Sequence, residues 1–242
     1  MSDVYPWERF WIPRDELLRL DDDGLLPDPE LDSAWAHDSK AAKLEGLLAR
    51  PILILLGEPG IGKSTALQQA KDAAEAAITK SGDLVIWRNL NEYSSEDRLV
   101  REVFRNQSLL KCKRRQRVVH LFLDSLDECQ LDVRNLFSLL LAEVGKLPLT
   151  HLRLRIVCRT GVWSEEFEEQ LLRLWSAQTD ACAFELAPLR RADIELAVTS
   201  RALDPTLFLA EMRKADIGPL AARPITLKML MDEFAHNGHF FK

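Results

Sequence analysis

Apolar residues in this chain follow two rhythms. In the first, short runs are apolar at nearly every position: PILILLG (51–57), DLVIWRNL (83–90), RVVHLFLD (117–124), LRLRIVCRT (152–160) and CAFELAPL (182–189). A strand covered on both faces reads this way, because neither face requires a polar partner for solvent. The second rhythm has apolar positions three and four apart. It fills the gaps with KSTALQQAKDAAEAAITKSG, SSEDRLVREVFRN, DVRNLFSLLLAEVG and SEEFEEQLLRLW, the last preceded by Trp163 so that Trp163, Phe167, Leu171 and Trp175 form one stripe. Serine or aspartate opens three of these four stretches and glycine closes two, the capping chemistry of helices. Five strands alternating with helices predict an α/β fold, a parallel five-stranded sheet with helices on both faces.

After Pro188 the strand rhythm stops. RADIELAVTSRAL, DPTLFLAEMRKA and RPITLKMLMDEFAHNG are all helical in period, which predicts a small helical domain over 189–242. Residues 1–48 have no clear period. Pro6, Pro13, Pro27 and Pro29 punctuate them, and RLDDDGLLPDP reads as an exposed turn. They are expected to form an extension that packs on the α/β domain of residues 49–188.

Composition narrows the class. Of 242 residues, 47% are hydrophobic and 29% charged, the balance of a globular protein with a sizeable core. The net charge of -6 gives no general reason to expect nucleic acid or an anionic membrane as partner. No apolar run approaches the roughly 20 residues of a membrane span, and MSDVYPWERF is too acidic for a secretion signal. Cys112, Cys129, Cys158 and Cys182 lie far apart without a CxxC pair, so reduced cysteines in a cytoplasmic protein are expected.

Chemistry enters with GEPGIGKST (57–65), which satisfies G-x-x-x-x-G-K-[ST] between a predicted strand and a predicted helix. That setting is what phosphate binding requires. Glycines let the backbone wrap an anion, successive N–H groups point inward, and the helix N-terminus adds partial positive charge. Gly57, Glu58, Pro59, Gly60, Ile61, Gly62, Lys63, Ser64 and Thr65 form the candidate loop. Lys63 would reach the β- and γ-phosphates, and the Ser64 hydroxyl would ligate Mg²⁺. Without ligand, Lys63 is expected to be exposed and unpaired.

A second cluster, LFLDSLDECQ (121–130), places three carboxylates at the end of a hydrophobic run. Like charges so close raise one another's pKa unless a cation lies among them. The lysine and metal of the loop supply it. Asp124 at the strand tip would hold Mg²⁺ through water, and Glu128 would polarise a water for attack on the γ-phosphate, with Asp127 as its helper. A helix N-terminus near Asp132 also accounts for some of this negative charge.

FLDSLDE, a strand ending in Asp followed by a small residue, a hydrophobic one and Asp-Glu, resembles the NACHT version of the Walker B motif, and with GEPGIGKST it is similar to the STAND class of signal-transducing P-loop NTPases within the AAA-like division. RFWIPRD, GLLPDP, RIVCRT and LAPLRRADIELA extend the resemblance over most of the chain. The resemblance implies that Arg159, at the end of the fourth strand, reports the γ-phosphate, because that strand lies between the two motif-bearing strands in this division. It also implies that Pro224 packs a helical domain against the nucleotide base, a position where proline at a first helical turn needs no ligand to explain it. No winged-helix, sensor-repeat or effector segment follows in the sequence given, so either this is an excised NTPase module or those functions lie on other chains; self-association or association with sensor and effector domains absent from this chain is expected.

The resulting expectation is binding of ATP (or ADP) with Mg²⁺ and slow hydrolysis, used as a conformational switch in bacterial defence or stress signalling. An AAA-type motor and a P-loop small-molecule kinase are the alternatives. KCKRRQR (111–117) lacks the aromatic interleaving that stacks bases and reads as a solvated helix end. The aromatics of WERFWIPR read as packing residues, and His236 and His239 as helix-end caps.

Overall fold

The computed structural model describes residues 5, 7–29, 40–78, 83–109, 117–175 and 182–240. Seven strands form in chain order: β1 (Phe10–Pro13), β2 (Ala42–Lys43), β3 (Ile52–Leu56), β4 (Leu84–Asn89), β5 (Val119–Asp124), β6 (Leu152–Cys158) and β7 (Ala183–Leu186). Hydrogen bonding orders them β2-β1-β7-β3-β6-β5-β4. The five expected strands are all present, and the registers of β3 with β6 and β7, and of β5 with β4 and β6, are parallel. Strand β6 therefore lies between β3 and β5.

The chain divides into two compact units, one of residues 44–58 and 63–185, the other of residues 1–43, 59–62 and 186–242. In the first, β3 is buried along its whole length, as its unbroken apolar run predicts. Helices α1 (Leu44–Leu47), α2 (Lys63–Ile78), α3 (Glu96–Leu99), α4 (Val133–Val144) and α5 (Glu165–Leu174) connect its strands. The expected helix over 94–106 is α3 followed by a π-helical turn, Val100–Phe104. The KCKRRQR segment, save Arg117, and the SG that ends the expected helix over 63–82 lie outside the described residues. The predicted aromatic stripe does enter the core. Phe167 stacks on Phe137 at 4.2 Å, and Trp163 meets both rings edge-on.

In the second unit, α6 (Arg191–Ser200), α7 (Pro205–Lys214), α8 (Gly218–Ala221) and α9 (Pro224–Asn237) surround a core centred on Phe208, Phe234 and Phe240. Asp204 caps α7, its carboxylate accepting from the N–H groups of Thr206 and Leu207, with Pro205 where the missing donor costs nothing. The described part of the unperiodic N-terminal segment is ordered here. β1 pairs antiparallel with β2, and the N–H of Ala187 donates to the carbonyl of Phe10 at 2.9 Å. Buried Arg190 holds the segment by ion pairs to Glu8 (3.3 Å), Asp28 (3.1 Å) and Asp193 (3.0 Å). Trp11 is fully buried, and the Trp7 indole N–H donates to the carbonyl of Asp193.

Candidate functional site

The loop after β3 is built by its glycines. Gly57, Gly60 and Gly62 have φ of 153°, 75° and 106°, conformations that side-chain-bearing residues rarely adopt. Gly60 has a second constraint: a Cβ there would lie 2.6 Å from Cγ2 of Ile225, the second residue of α9 and a member of the same unit. Helix α2 begins at Lys63, so the loop ends on a helix N-terminus, as the motif requires.

Lys63 corrects one expectation. It is only 9% exposed, and its ammonium folds back to donate to the carbonyls of Gly57 (2.5 Å) and Glu58 (2.9 Å). The physical reason is that a cation at the root of a half-enclosed loop has carbonyls within reach and must use them. Burial holds its pKa below the ordinary lysine value, with the Asp127 carboxylate pulling it back up.

In the same unit the Ser64 hydroxyl donates to Oδ1 of Asp124 at 3.1 Å, although 60 positions separate them. Parallel pairing across β6 brings the loop after β3 and the tip of β5 to one edge of the sheet. Asp124 is 5% exposed, and its other donor is the N–H of Ser125 at 2.9 Å. Burial pushes its carboxyl pKa up; those two hydrogen bonds oppose the shift, and nearby Glu128 and Asp127 add to it. Among the described residues no cation pairs with it. A buried carboxylate without a cation, in contact with a hydroxyl, is a donor set that fits a hard divalent ion such as Mg²⁺.

Ser125 then takes a left-handed conformation, φ 54°, and turns the chain sharply out of the strand. The 3₁₀ turn that follows, Leu126–Glu128, is anchored by buried Leu126 and presents Asp127 and Glu128 to Arg159 at the end of β6. Asp127 grips that arginine twice. Its Oδ1 accepts from the Arg159 backbone N–H at 3.0 Å, and its Oδ2 lies 2.7 Å from Nε. Arg159 Nη2 also reaches Glu128 Oε1 at 3.2 Å. The Asp127 side chain is 5% exposed and that of Glu128 47%, so the two neighbouring acids occupy different environments. Cys158 beside them is buried, with its thiol pKa pushed up to about 12 by that burial.

Lys63, Ser64, Asp124, Asp127, Glu128 and Arg159 thus belong to one connected group in one unit. Pro224 opens α9 at its first turn, half-buried. In the second unit the sequence reading passed over Arg9. Its guanidinium donates to the carbonyls of Ile61 and Ala187, each at 2.7 Å. The signal was its place among the aromatics of WERFWIPR, where a cation enclosed by a hydrophobic run needs a polar partner.

No protein-family model matches the chain, and no curated protein matches it. Among solved structures the chain is similar to the Aeropyrum pernix ORC1 protein in complex with DNA, at 18% identity and a TM-score of 0.51 over 81% of this chain and 59% of that one. It is also similar to Cdc6p from Pyrobaculum aerophilum (15% identity, TM-score 0.46, 81% and 60% covered). The Thermotoga maritima RuvB Holliday junction branch migration motor is a further match (13% identity, TM-score 0.42, 81% and 60% covered). The chain spans about three fifths of their length. The likeness to ORC1 shows the fold, and this chain has that of the P-loop NTPases.

Proposed function

We propose that this chain binds ATP with Mg²⁺ and hydrolyses it slowly, as a nucleotide-dependent switch of the NACHT type in bacterial defence or stress signalling. The observation that carries the proposal is the 3.1 Å contact between Ser64 and Asp124 beside a lysine-bearing glycine loop. Nothing in packing requires a hydroxyl and a buried carboxylate to meet there, whereas a phosphate-bound metal does.

In this reading the loop N–H groups and Lys63 bind the β- and γ-phosphates, and Lys63 exchanges its two carbonyls for them. Ser64 and, through water, Asp124 would hold Mg²⁺, and the ion would supply charge neutralisation for the phosphates. Glu128 accepts a proton from the attacking water. Arg159 exchanges its contact with Glu128 for the γ-phosphate, which frees the carboxylate at the moment it is needed. Asp127 keeps its grip and acts by positioning Arg159. Pro224 is assigned to the nucleotide base, and α9 carries the nucleotide state to sensor and effector domains on this or other chains.

The likeness to ORC1, solved with DNA, supports a second reading, an AAA-type remodelling ATPase, which would turn over ATP steadily and respond to DNA. The test of the first is calorimetry of ATP and ADP binding with Mg²⁺ on the wild type and on Lys63→Ala. Binding that is lost in the variant supports the assignment. Unchanged affinity refutes it.

A further inference from the structure

We infer that Arg9 is a positioning residue of the phosphate loop, one that sets the aim of the Gly62 N–H at a bound nucleotide phosphate. The inference rests on the nucleotide-binding reading above and adds a residue to it from the N-terminal segment. Arg9, Ile61, Gly62 and Ala187 all belong to one unit.

The peptide plane limits how the loop can turn. The described residues contain no cis peptide. In a trans peptide the carbonyl of one residue and the N–H of the next point in opposite directions across a rigid plane. The Ile61 carbonyl is held by Arg9 Nη1 at 2.7 Å. The N–H of Gly62 must therefore face away from Arg9. Free rotation about the flanking bonds is the only way it could turn, and Gly62, at φ 106° with no Cβ, is the residue best able to allow that. A glycine loop that must present its N–H groups to an anion thus needs an outside constraint, and the guanidinium supplies it.

The constraint is itself braced. Arg9 Nη2 donates at 2.7 Å to Ala187, the residue after β7. A planar guanidinium with two donors fixed on two carbonyls cannot swing, so Ile61 is tied to the end of a strand. Space confirms the fit: a Cβ on Gly62 would lie 3.1 Å from Arg9 Nη1. Desolvation lowers the Arg9 pKa to about 10, with the Asp193 carboxylate opposing the shift, so the group remains a cation at neutral pH. A phosphate accepted by the far side of the same peptide would share that charge through an aligned N–H dipole.

The test uses the full chain with Arg9→Gln, Arg9→Lys and, as control, Lys63→Ala. ADP and ATP affinities are measured with Mg²⁺, and amide hydrogen exchange is followed in the ADP-bound state. Both Arg9 variants should bind ADP and ATP about tenfold or more weakly, because the lost contact serves phosphates common to both. Lysine keeps the charge without the planar fork and should not rescue. Exchange should quicken at Gly62 while the amides of Ile52–Leu56 in β3 keep their wild-type rates. A structural role would quicken both regions together, and that result overturns the inference. So does wild-type affinity in Arg9→Gln when Lys63→Ala has lost binding. If Lys63→Ala also binds normally, the nucleotide reading itself has failed and this inference with it. Should Arg9→Gln not fold, the exchange pattern of Arg9→Lys decides.

Discussion

Asp124→Asn should stabilise the nucleotide-free chain while it weakens Mg²⁺-dependent ATP binding, two effects of opposite sign from one atom. The wild-type carboxylate is 5% exposed, has two hydrogen-bond donors and, among the described residues, no cation. Burying an ion costs several kcal/mol after relaxation. Two charge-assisted hydrogen bonds return about 1.5–3 kcal/mol each. Asparagine keeps an oxygen for both donors and removes the charge, and it also ends the repulsion from Asp127 and Glu128. A net gain of about 1–2 kcal/mol is expected, within the range of a single stabilising substitution. In a chain of this length that is a rise in Tm of about 2–8 °C. The pH dependence has a definite sign. Because burial raises the wild-type pKa, the folded state takes up a proton more readily than the unfolded chain, whose value is 3.8. Wild-type stability therefore falls as pH rises from 3.8 through the raised value, and the advantage of the variant is full only above that window. Below 3.8 it should largely vanish. Scanning calorimetry across pH reads this, and titration with ATP and Mg²⁺ should show a loss of about 10–100-fold. A lower Tm for the variant at neutral pH, or unchanged Mg²⁺-dependent binding, would refute the reasoning.

Arg159→Ala should leave ADP affinity nearly unchanged and weaken the preference for ATP; equal losses for both nucleotides would make Arg159 a partner of Asp127 and nothing more. Glu128→Gln should retain ATP binding and slow single-turnover hydrolysis by roughly 10²–10⁴-fold. Asp127→Asn should act on the same step only through Arg159, so it should add little to Arg159→Ala in a double variant; a larger loss from Asp127→Asn than from Glu128→Gln would reverse the two roles. Arg155→Met should destabilise the chain by about 2–4 kcal/mol in urea unfolding, because the carbonyls its guanidinium now holds are left without their donor.

Much of the α/β half could be read from its sequence because its strands are covered on both faces and its helices are capped. ILILL in β3 has no alternative to a buried strand, and Asp132 caps α4 as its place suggests. The loop was legible for a different reason, since three glycines at positive φ leave a fixed spacing behind. Other parts were hidden by chemistry that spacing does not record. LRLRIVC reads as a strand covered on both faces, but that reading leaves its arginines without a place, and Arg155 is 2% exposed. It donates to the carbonyls of Leu48, Arg50 and Leu154, and burial lowers its pKa to about 9. Strand β1 was missed because FWIP is buried at every position and ends in proline, and β2 is only two residues long. Lys63 was expected to be free because a motif names the ligand of a lysine and says nothing of what it holds beforehand. Arg9 and Ile225 touch the loop across long sequence separations, and a local pattern that marks Arg9 as needing a polar partner does not say which carbonyl that partner is.

The tip of the phosphate loop, residues 59–62, falls in the same compact unit as residues 1–43 and 186–242. Its bonds through Arg9 reach Ala187 across 178 positions, and Gly60 meets Ile225 later still. Contacts of such high order close slowly, since the connecting chain must first surrender its freedom. During synthesis, which proceeds at about 5–20 residues per second, β6 and β7 on either side of β3 are complete a few seconds before α9 leaves the ribosome. The loop thus emerges early as sequence and late as structure. A nascent chain would pass through a stage with β3, β5 and β6 paired and Gly60 not yet against Ile225, so the loop tip would take its packed form only after α9 has been made.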